Sequence, residues 1–176
     1  MRNCVKVKLR MDELPWRGRL KAVEEGSCRA FFKAGFLKKK ENIYAFYNVE
    51  GYRKLSDFNN QDSISTLRMA QAFLKSIEIC KNKLFLPDQF ILNPQTMYFC
   101  QACDIAKFVY MPCKTKSSEV NAICTALNCI GQSGDPAGKK YIDSIIFLIK
   151  KQNLKTENVT AVIDEMIAEA LAYSRI

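Results

Sequence analysis

Near residue 54 the apolar residues change their spacing, and that change limits what the chain can become. Before it, Val5, Val7, Leu9 and Met11 alternate with Lys6, Lys8 and Arg10. A period of two sets one face of a strand on a core and leaves the other in water. Leu14-Pro15-Trp16-Arg17-Gly18 breaks the alternation, and short apolar runs follow from Cys28 to Leu37. Asn42-Ile43-Tyr44-Ala45-Phe46-Tyr47-Asn48-Val49 then reads as a stronger strand, rich in aromatic and β-branched residues, which Glu50-Gly51-Tyr52 ends.

Beyond residue 54 the spacing is helical. Leu67, Ala70, Phe73, Leu74, Ile77 and Cys80 mark one face of a helix preceded by Asp62 and Ser63, both good N-caps. Thr96 to Cys100 and Lys107 to Met111 are short strands close enough to form a hairpin. Val120, Ile123, Cys124, Leu127 and Ile130 restore helical spacing. Asp135-Pro136 gives an N-cap followed by proline at the first helical position, and that helix should run to about Lys151. A last helix starts near Thr156, with Val159, Val162, Ile163, Met166 and Ile167 inside. The core expected from these patterns is Val5, Val7, Leu9, Ile43, Ala45, Phe73, Ile77, Phe90, Leu92, Ile123, Leu127, Ile145, Val162 and Met166.

With 176 residues, 48% of them hydrophobic, the chain can bury one real core, so a disordered or collagen-like chain is excluded. MRNCVKVKLR carries charge but no apolar run of signal-peptide length, and YIDSIIFLIKK falls short of the ~20 residues of a membrane span. The expectation is a cytoplasmic protein that reaches a membrane only through a partner. Of the eight cysteines, Cys80, Cys124 and Cys129 fall in helical patterns and read as reduced packing residues. Cys100 and Cys103, with Cys113 further on, outline a weak three-thiolate metal site, but there is no second CxxC pair and no histidine, so no metal or cofactor is expected.

Charge is unevenly placed. Residues 1 to 40 hold 12 Lys and Arg against 4 Asp and Glu, while residues 41 to 176 hold 15 against 14. A basic surface favours acidic partners, anionic lipid or nucleic acid. Arg17, Arg19, Lys38, Lys39 and Lys40 are the candidates for a charged contact, against a plain reading as a solvated face. Trp16, Phe31, Phe32 and Phe36 lie among these cations as a stacking platform would require, although the same rings are better read as part of the core of this strand-rich part.

Most catalytic arrangements are excluded by residue type. Without histidine there is no Ser-His-Asp or Cys-His arrangement, and Asp164-Glu165 point in different directions on a helix. Gly134-Asp135-Pro136-Ala137-Gly138-Lys139-Lys140 imitates a phosphate loop but is one residue short and lacks the hydroxyl that holds magnesium, so a helix cap is the better reading.

Two stretches carry a resemblance. IYAFYNVEGYRKLSDF, residues 43 to 58, resembles the last strand of a protein-kinase small lobe, its hinge (Asn48, Val49, Glu50 and Gly51) and the short helix beyond. KLFLPDQFILNPQTMYFC resembles the catalytic loop and the strand after it. More closely, residues 43 to 171 are similar to the pseudokinase-like cytoplasmic domain of bacterial EssB/YukC proteins of type VII secretion. They are also similar to a domain that stands N-terminal to forkhead-associated domains in Gram-positive bacteria. The shared features are the Tyr44-Ala45-Phe46-Tyr47 strand and turn, the Leu86-Pro87 to Asn93-Pro94 loop, Phe108-Val109-Tyr110-Met111-Pro112, and the helix after Leu154-Lys155-Thr156-Glu157-Asn158. Residues 1 to 42 match poorly.

The resemblance implies an α+β, protein-kinase-like fold in reduced two-lobe form. Residues 1–50 would be a small strand-rich lobe, and residues 51–176 a helical lobe with a β-hairpin, together one compact unit. It also implies lost catalysis. Aligned through Pro87, the catalytic aspartate position falls on Leu84, the metal-binding asparagine on Gln89, and the second metal-binding aspartate near Met111. Phosphoryl transfer needs those groups to position the hydroxyl and hold magnesium. The expectation is an inactive protein-interaction module of a secretion or signalling assembly, its partner a forkhead-associated domain or a membrane-anchored secretion component. The alternatives are a basic nucleic-acid-binding module and a weak nucleotide-binding pseudokinase that uses the hinge.

Overall fold

The structure, a computed structural model, describes residues 4–9, 17–100, 104–113, 117–151 and 156–173. Its first sheet contains β1 (Cys4–Leu9), β2 (Ala34–Lys39) and β3 (Asn42–Asn48), with β3 in the middle and both neighbours antiparallel to it. The registers place Val7 and Phe36 beside Ala45, and Val5 and Ala34 beside Tyr47, on the face that packs on the core. The opposite face carries Lys8, Tyr44 and Leu37 in one row and Lys6 and Phe46 in the next. The period of two read from β1 is therefore real. Met11 lies outside the described residues.

A helix, α1 (Arg17–Glu25), stands where the sequence indicated only a break. It has few apolar residues, and Val23, fully buried, is held with Leu20 and Ala22 against the core. Propensity alone does not mark so short a helix; tertiary packing makes it. The segment after it joins the second sheet: the Phe108 N–H donates to the Ala30 carbonyl (2.8 Å), and the Phe32 N–H to the Phe108 carbonyl (3.1 Å).

That second sheet is β4 (Arg53–Lys54), β5 (Met97–Phe99) and β6 (Lys107–Phe108), antiparallel in that order. The hairpin expected between residues 96 and 111 is present, and β4, too short to signal itself, extends it. Five helices are described in all, and none of the described helices is long and apolar enough to cross a membrane. The central one, α2 (Ser63–Asn82), buries Leu67, Ala70, Phe73, Leu74, Ile77 and Cys80 and is capped by Asp62. Helices α3 (Glu119–Ser133), α4 (Pro136–Lys151) and α5 (Thr156–Tyr173) pack around it. The Asp135 carboxylate accepts from the Gly138 N–H at 2.6 Å, so the 134–140 stretch is a helix cap, as its sequence indicated.

The core is one continuous cluster fed from both sheets and all five helices. At its centre Phe31 meets Phe85, Phe90 and Tyr110 with ring centroids 4.9, 5.1 and 5.1 Å away. One expectation needs correction. Val162 and Met166 are only half-buried, because the stripe facing inward on α5 is Val159, Ile163 and Ala170; Val5 and Ile43, near the sheet's rim, are likewise half-buried. Phe31 and Phe32 are buried and Phe36 is half-buried on the core side, so these rings belong to the core, the reading that the sequence favoured over a solvent-facing stacking platform. Trp16 lies outside the described residues.

Candidate functional site

The end of α2 brings several of the singled-out residues together. Lys83 closes the helix, Leu84 follows with φ +62°, and the chain turns sharply into Phe85. The Leu84 N–H donates to the Lys81 carbonyl and the Phe85 N–H to the Cys80 carbonyl, each at 2.9 Å. These are the paired bonds of a Schellman cap, with leucine at the left-handed position that glycine normally fills. Its side chain is 76% exposed, the most of any large apolar side chain described.

Across from this cap lies α1. The Arg19 guanidinium donates to the Leu84 carbonyl (3.2 Å) and sits 6.0 Å from the Phe85 ring centre. Gly18, Arg19 and Ala22 from α1, with Lys83, Leu84 and Phe85, line a cleft of about 500 Å³. Beneath it, burial pushes the Tyr110 phenol up to about 12, while the adjacent Arg19 charge pulls it down. Nearby, a hydrogen bond from Cys80 lowers the Cys28 thiol to about 7 against the opposing effect of burial; the N–H groups of Ala30 and Phe31 and the charge of Lys83 assist.

Gln89 and Met111 are neighbours through the backbone. The Ile91 N–H donates to the Met111 carbonyl (2.8 Å), and the Cys113 N–H to the Gln89 carbonyl (3.1 Å). Gln89 ends a 3₁₀ turn, Pro87–Gln89, and its side-chain oxygen is buried without a hydrogen-bond partner. So the aligned positions Leu84, Gln89 and Met111 present an exposed aliphatic chain, a neutral amide and a thioether.

The hinge-like residues form a closed turn. The Tyr52 N–H returns to the Val49 carbonyl (3.1 Å), and the Glu50 N–H is taken by the Asn48 side chain (3.2 Å). Gly51, at φ +81°, supplies the conformation that such a turn needs at its third residue. Two of the backbone groups that could face an adenine are thus used internally.

The charged candidates separate. Arg19 belongs to the cleft, Lys38 and Lys39 end β2, and Lys40 (φ +55°) turns the chain into β3, all three lysines exposed. Arg17 begins α1, and its side chain lies outside the described part. Of the thiolate candidates, Cys100 and Cys113 are half-buried, and Cys103 is outside the described residues. Among the described residues no three His, Cys, Asp or Glu side chains converge as metal ligands would. A second cleft, about 510 Å³, opens between the start of α2 and the end of β5, with Arg68, Gln71 and Asp104 on its walls.

The sequence pointed to Leu84 by alignment but not to the cleft, because α1, which supplies half of its wall, was not recognised. No protein-family profile matches the chain, and no curated protein matches it. Among solved structures, it is similar to the crystal structure of the Staphylococcus aureus EssB cytoplasmic fragment, with a TM-score of 0.57 and 11% identity, over 92% of this chain and 98% of that one. At that identity the likeness is one of fold, and it extends over nearly the whole of both chains.

Proposed function

We propose that this chain is a catalytically inactive, kinase-like protein-interaction module of a bacterial secretion or signalling assembly. The observation that carries the reading is the likeness in fold to the EssB cytoplasmic fragment across 92% of the chain. The side chains at Leu84 and Met111 support the loss of catalysis, since neither supplies the carboxylate that would accept a hydroxyl proton or hold magnesium, and Gln89 replaces the metal-binding asparagine with a longer amide. The partner is a forkhead-associated domain or a membrane-anchored secretion component, which would bring a chain of this kind to the membrane.

Two measurements test this. Thermal unfolding with millimolar ATP and magnesium should match unfolding without them, because only a ligand that binds the folded state raises stability. A magnesium-dependent rise would overturn the inactive reading and direct mutagenesis to Asp88 and Asp104. Titration with a purified forkhead-associated domain and with the cytoplasmic part of a membrane-anchored secretion component should give saturable binding to one of them. Failure of both removes the proposed partners.

A second reading, a basic nucleic-acid-binding module, is favoured by the outer face of the first sheet rather than by the aromatics buried beneath it. There the Lys6 ammonium lies 4.5 Å from the Tyr44 ring centre and 5.7 Å from that of Phe46. Residues 4–9 and 34–48 hold Lys6, Lys8, Lys38, Lys39 and Lys40 against Glu41 alone. Cations beside aromatic faces suit single strands. Labelled oligothymidine that fails to bind at low salt, where phosphate-driven affinity is greatest, would sink this reading.

A further inference from the structure

We infer that the cleft between α1 and the end of α2 docks a protein segment in which an apolar side chain stands next to a carboxylate, and that Leu84 is the exposed anchor of that contact. The inference rests on the protein-interaction reading above and names its surface. Its first support is a mismatch between residue and conformation. The left-handed position of a Schellman cap suits glycine, whereas any side chain there crowds the following carbonyl. Leucine occupies it at φ +62° and is 76% exposed, so the unbound chain gains no compensating burial. A strained, solvent-facing apolar residue is the kind of outlier from which a functional contact can be argued.

The second support is what lies beside it. Gly18 lines the cleft, and a Cβ added there would meet nothing within 4 Å, so the space is open on the α1 side. Phe85 and Ala22 give it an apolar wall, and Arg19 and Lys83 provide two cations. Among the described residues no carboxylate lines this cleft, and the Arg19 guanidinium faces the neutral Leu84 carbonyl, the Phe85 ring and the protonated Tyr110 phenol. An arginine fork over an apolar pocket fits a single carboxylate next to an aliphatic or aromatic side chain. A nucleic acid, which needs a row of cations along its backbone, suits the outer sheet face better.

The test is selection from a phage-displayed library of random peptides on the full chain, followed by fluorescence anisotropy of the enriched peptides against wild type, Leu84→Gly, Arg19→Gln and Gly18→Leu. Enriched sequences should pair Leu, Ile, Met or Phe with a nearby Asp or Glu. Each variant should weaken binding by about tenfold or more, the range of a central contact residue. Leu84→Gly relieves strain and Gly18→Leu fills open space, so neither loss can be ascribed to unfolding. Peptides that bind all three variants like wild type would overturn this cleft and leave the interaction-module reading standing. No enrichment overturns the cleft as well, and the interaction reading is then judged by its own titrations. A wild-type dimer that Leu84→Gly dissociates would reassign the surface to self-association and overturn peptide docking.

Discussion

The Phe85 N–H reaches back to the Cys80 carbonyl at 2.9 Å, closing α2 around a leucine held at φ +62°. Glycine at residue 84 would keep both cap bonds and remove the crowded Cβ. Leu84→Gly should therefore stabilise the chain by about 1 kcal/mol, less whatever glycine adds to the freedom of the unfolded chain. For a domain of this size that is a rise of roughly 2–4 °C in Tm. A fall in Tm would mean that the Leu84 side chain contributes packing its exposure does not suggest.

Tyr47 ties the first sheet to the strand-like segment after β6. Its hydroxyl donates to the Tyr110 carbonyl at 2.7 Å, with both residues fully buried. Burial drives its phenol well above the ordinary tyrosine value, which keeps the donor protonated. Tyr47→Phe retains the ring and strands a buried carbonyl, so urea denaturation should show a loss of about 1–3 kcal/mol. Tyr44→Phe, on the outer face of the same strand, should change stability by less than about 0.5 kcal/mol. Equal effects at the two positions would argue against the buried bond.

How much of this was readable in the sequence depended on how strongly each element signals itself. Helices α2 to α5 repeat apolar residues over many turns, and Asp62 and the Asp135-Pro136 pair mark starts that the cap bonds bear out. Helix α1 and strand β4 did not register. The first offers little beyond Leu20, Ala22 and Val23 to the core, and the second is two residues long. On α5 several apolar residues compete for the inward stripe, and only packing against α2 selects Val159 and Ile163 over Val162. Leu84 could be named from alignment, but its left-handed backbone and exposure belong to the fold alone. The aromatics near the N-terminus are the easier case: composition set Phe31 and Phe32 beside cations, and burial places them in the core, the reading that the sequence favoured.

Asp62 should make stability depend on acidity. Its carboxylate accepts the Ser65 N–H at 2.8 Å and the Ser65 hydroxyl at 2.7 Å, and these bonds hold its pKa below the usual aspartate value. Because the folded pKa is the lower one, the contribution is fully present above the unfolded pKa, near 3.9, and disappears as pH falls through the folded value. Asp62→Ala should cost about 1 kcal/mol at neutral pH, and the difference from wild type should shrink between about pH 5 and pH 2. Asp62→Asn should lose little and show no such pH dependence. A gap between wild type and Asp62→Ala that stays constant down to low pH would remove the carboxylate as its cause.

The junction of α3 and α4 rests directly on α2, and the contact point is Thr66. A Cβ added to Gly134 would lie 2.5 Å from the Thr66 hydroxyl oxygen and 3.0 Å from its methyl carbon; one added to Gly138 would lie 2.9 Å from the same oxygen. Gly134 has φ −88°, so backbone freedom is not the reason for glycine there; the close approach is. The Gln61 N–H to the Ser133 carbonyl (2.9 Å) and the Asp135 N–H to the Gln61 carbonyl (2.7 Å) hold the two segments at that distance. Gly134→Ala should therefore cost about 1–3 kcal/mol, as overpacking in a rigid core does. Thr66→Ala removes the opposing oxygen and methyl while giving up the hydroxyl bond to the Asp62 carbonyl (2.9 Å). Combined, the two substitutions should cost less than the sum of the singles by about 1 kcal/mol or more. A double mutant additive to within about 0.5 kcal/mol would show that the junction absorbs the extra carbon without pressing on Thr66.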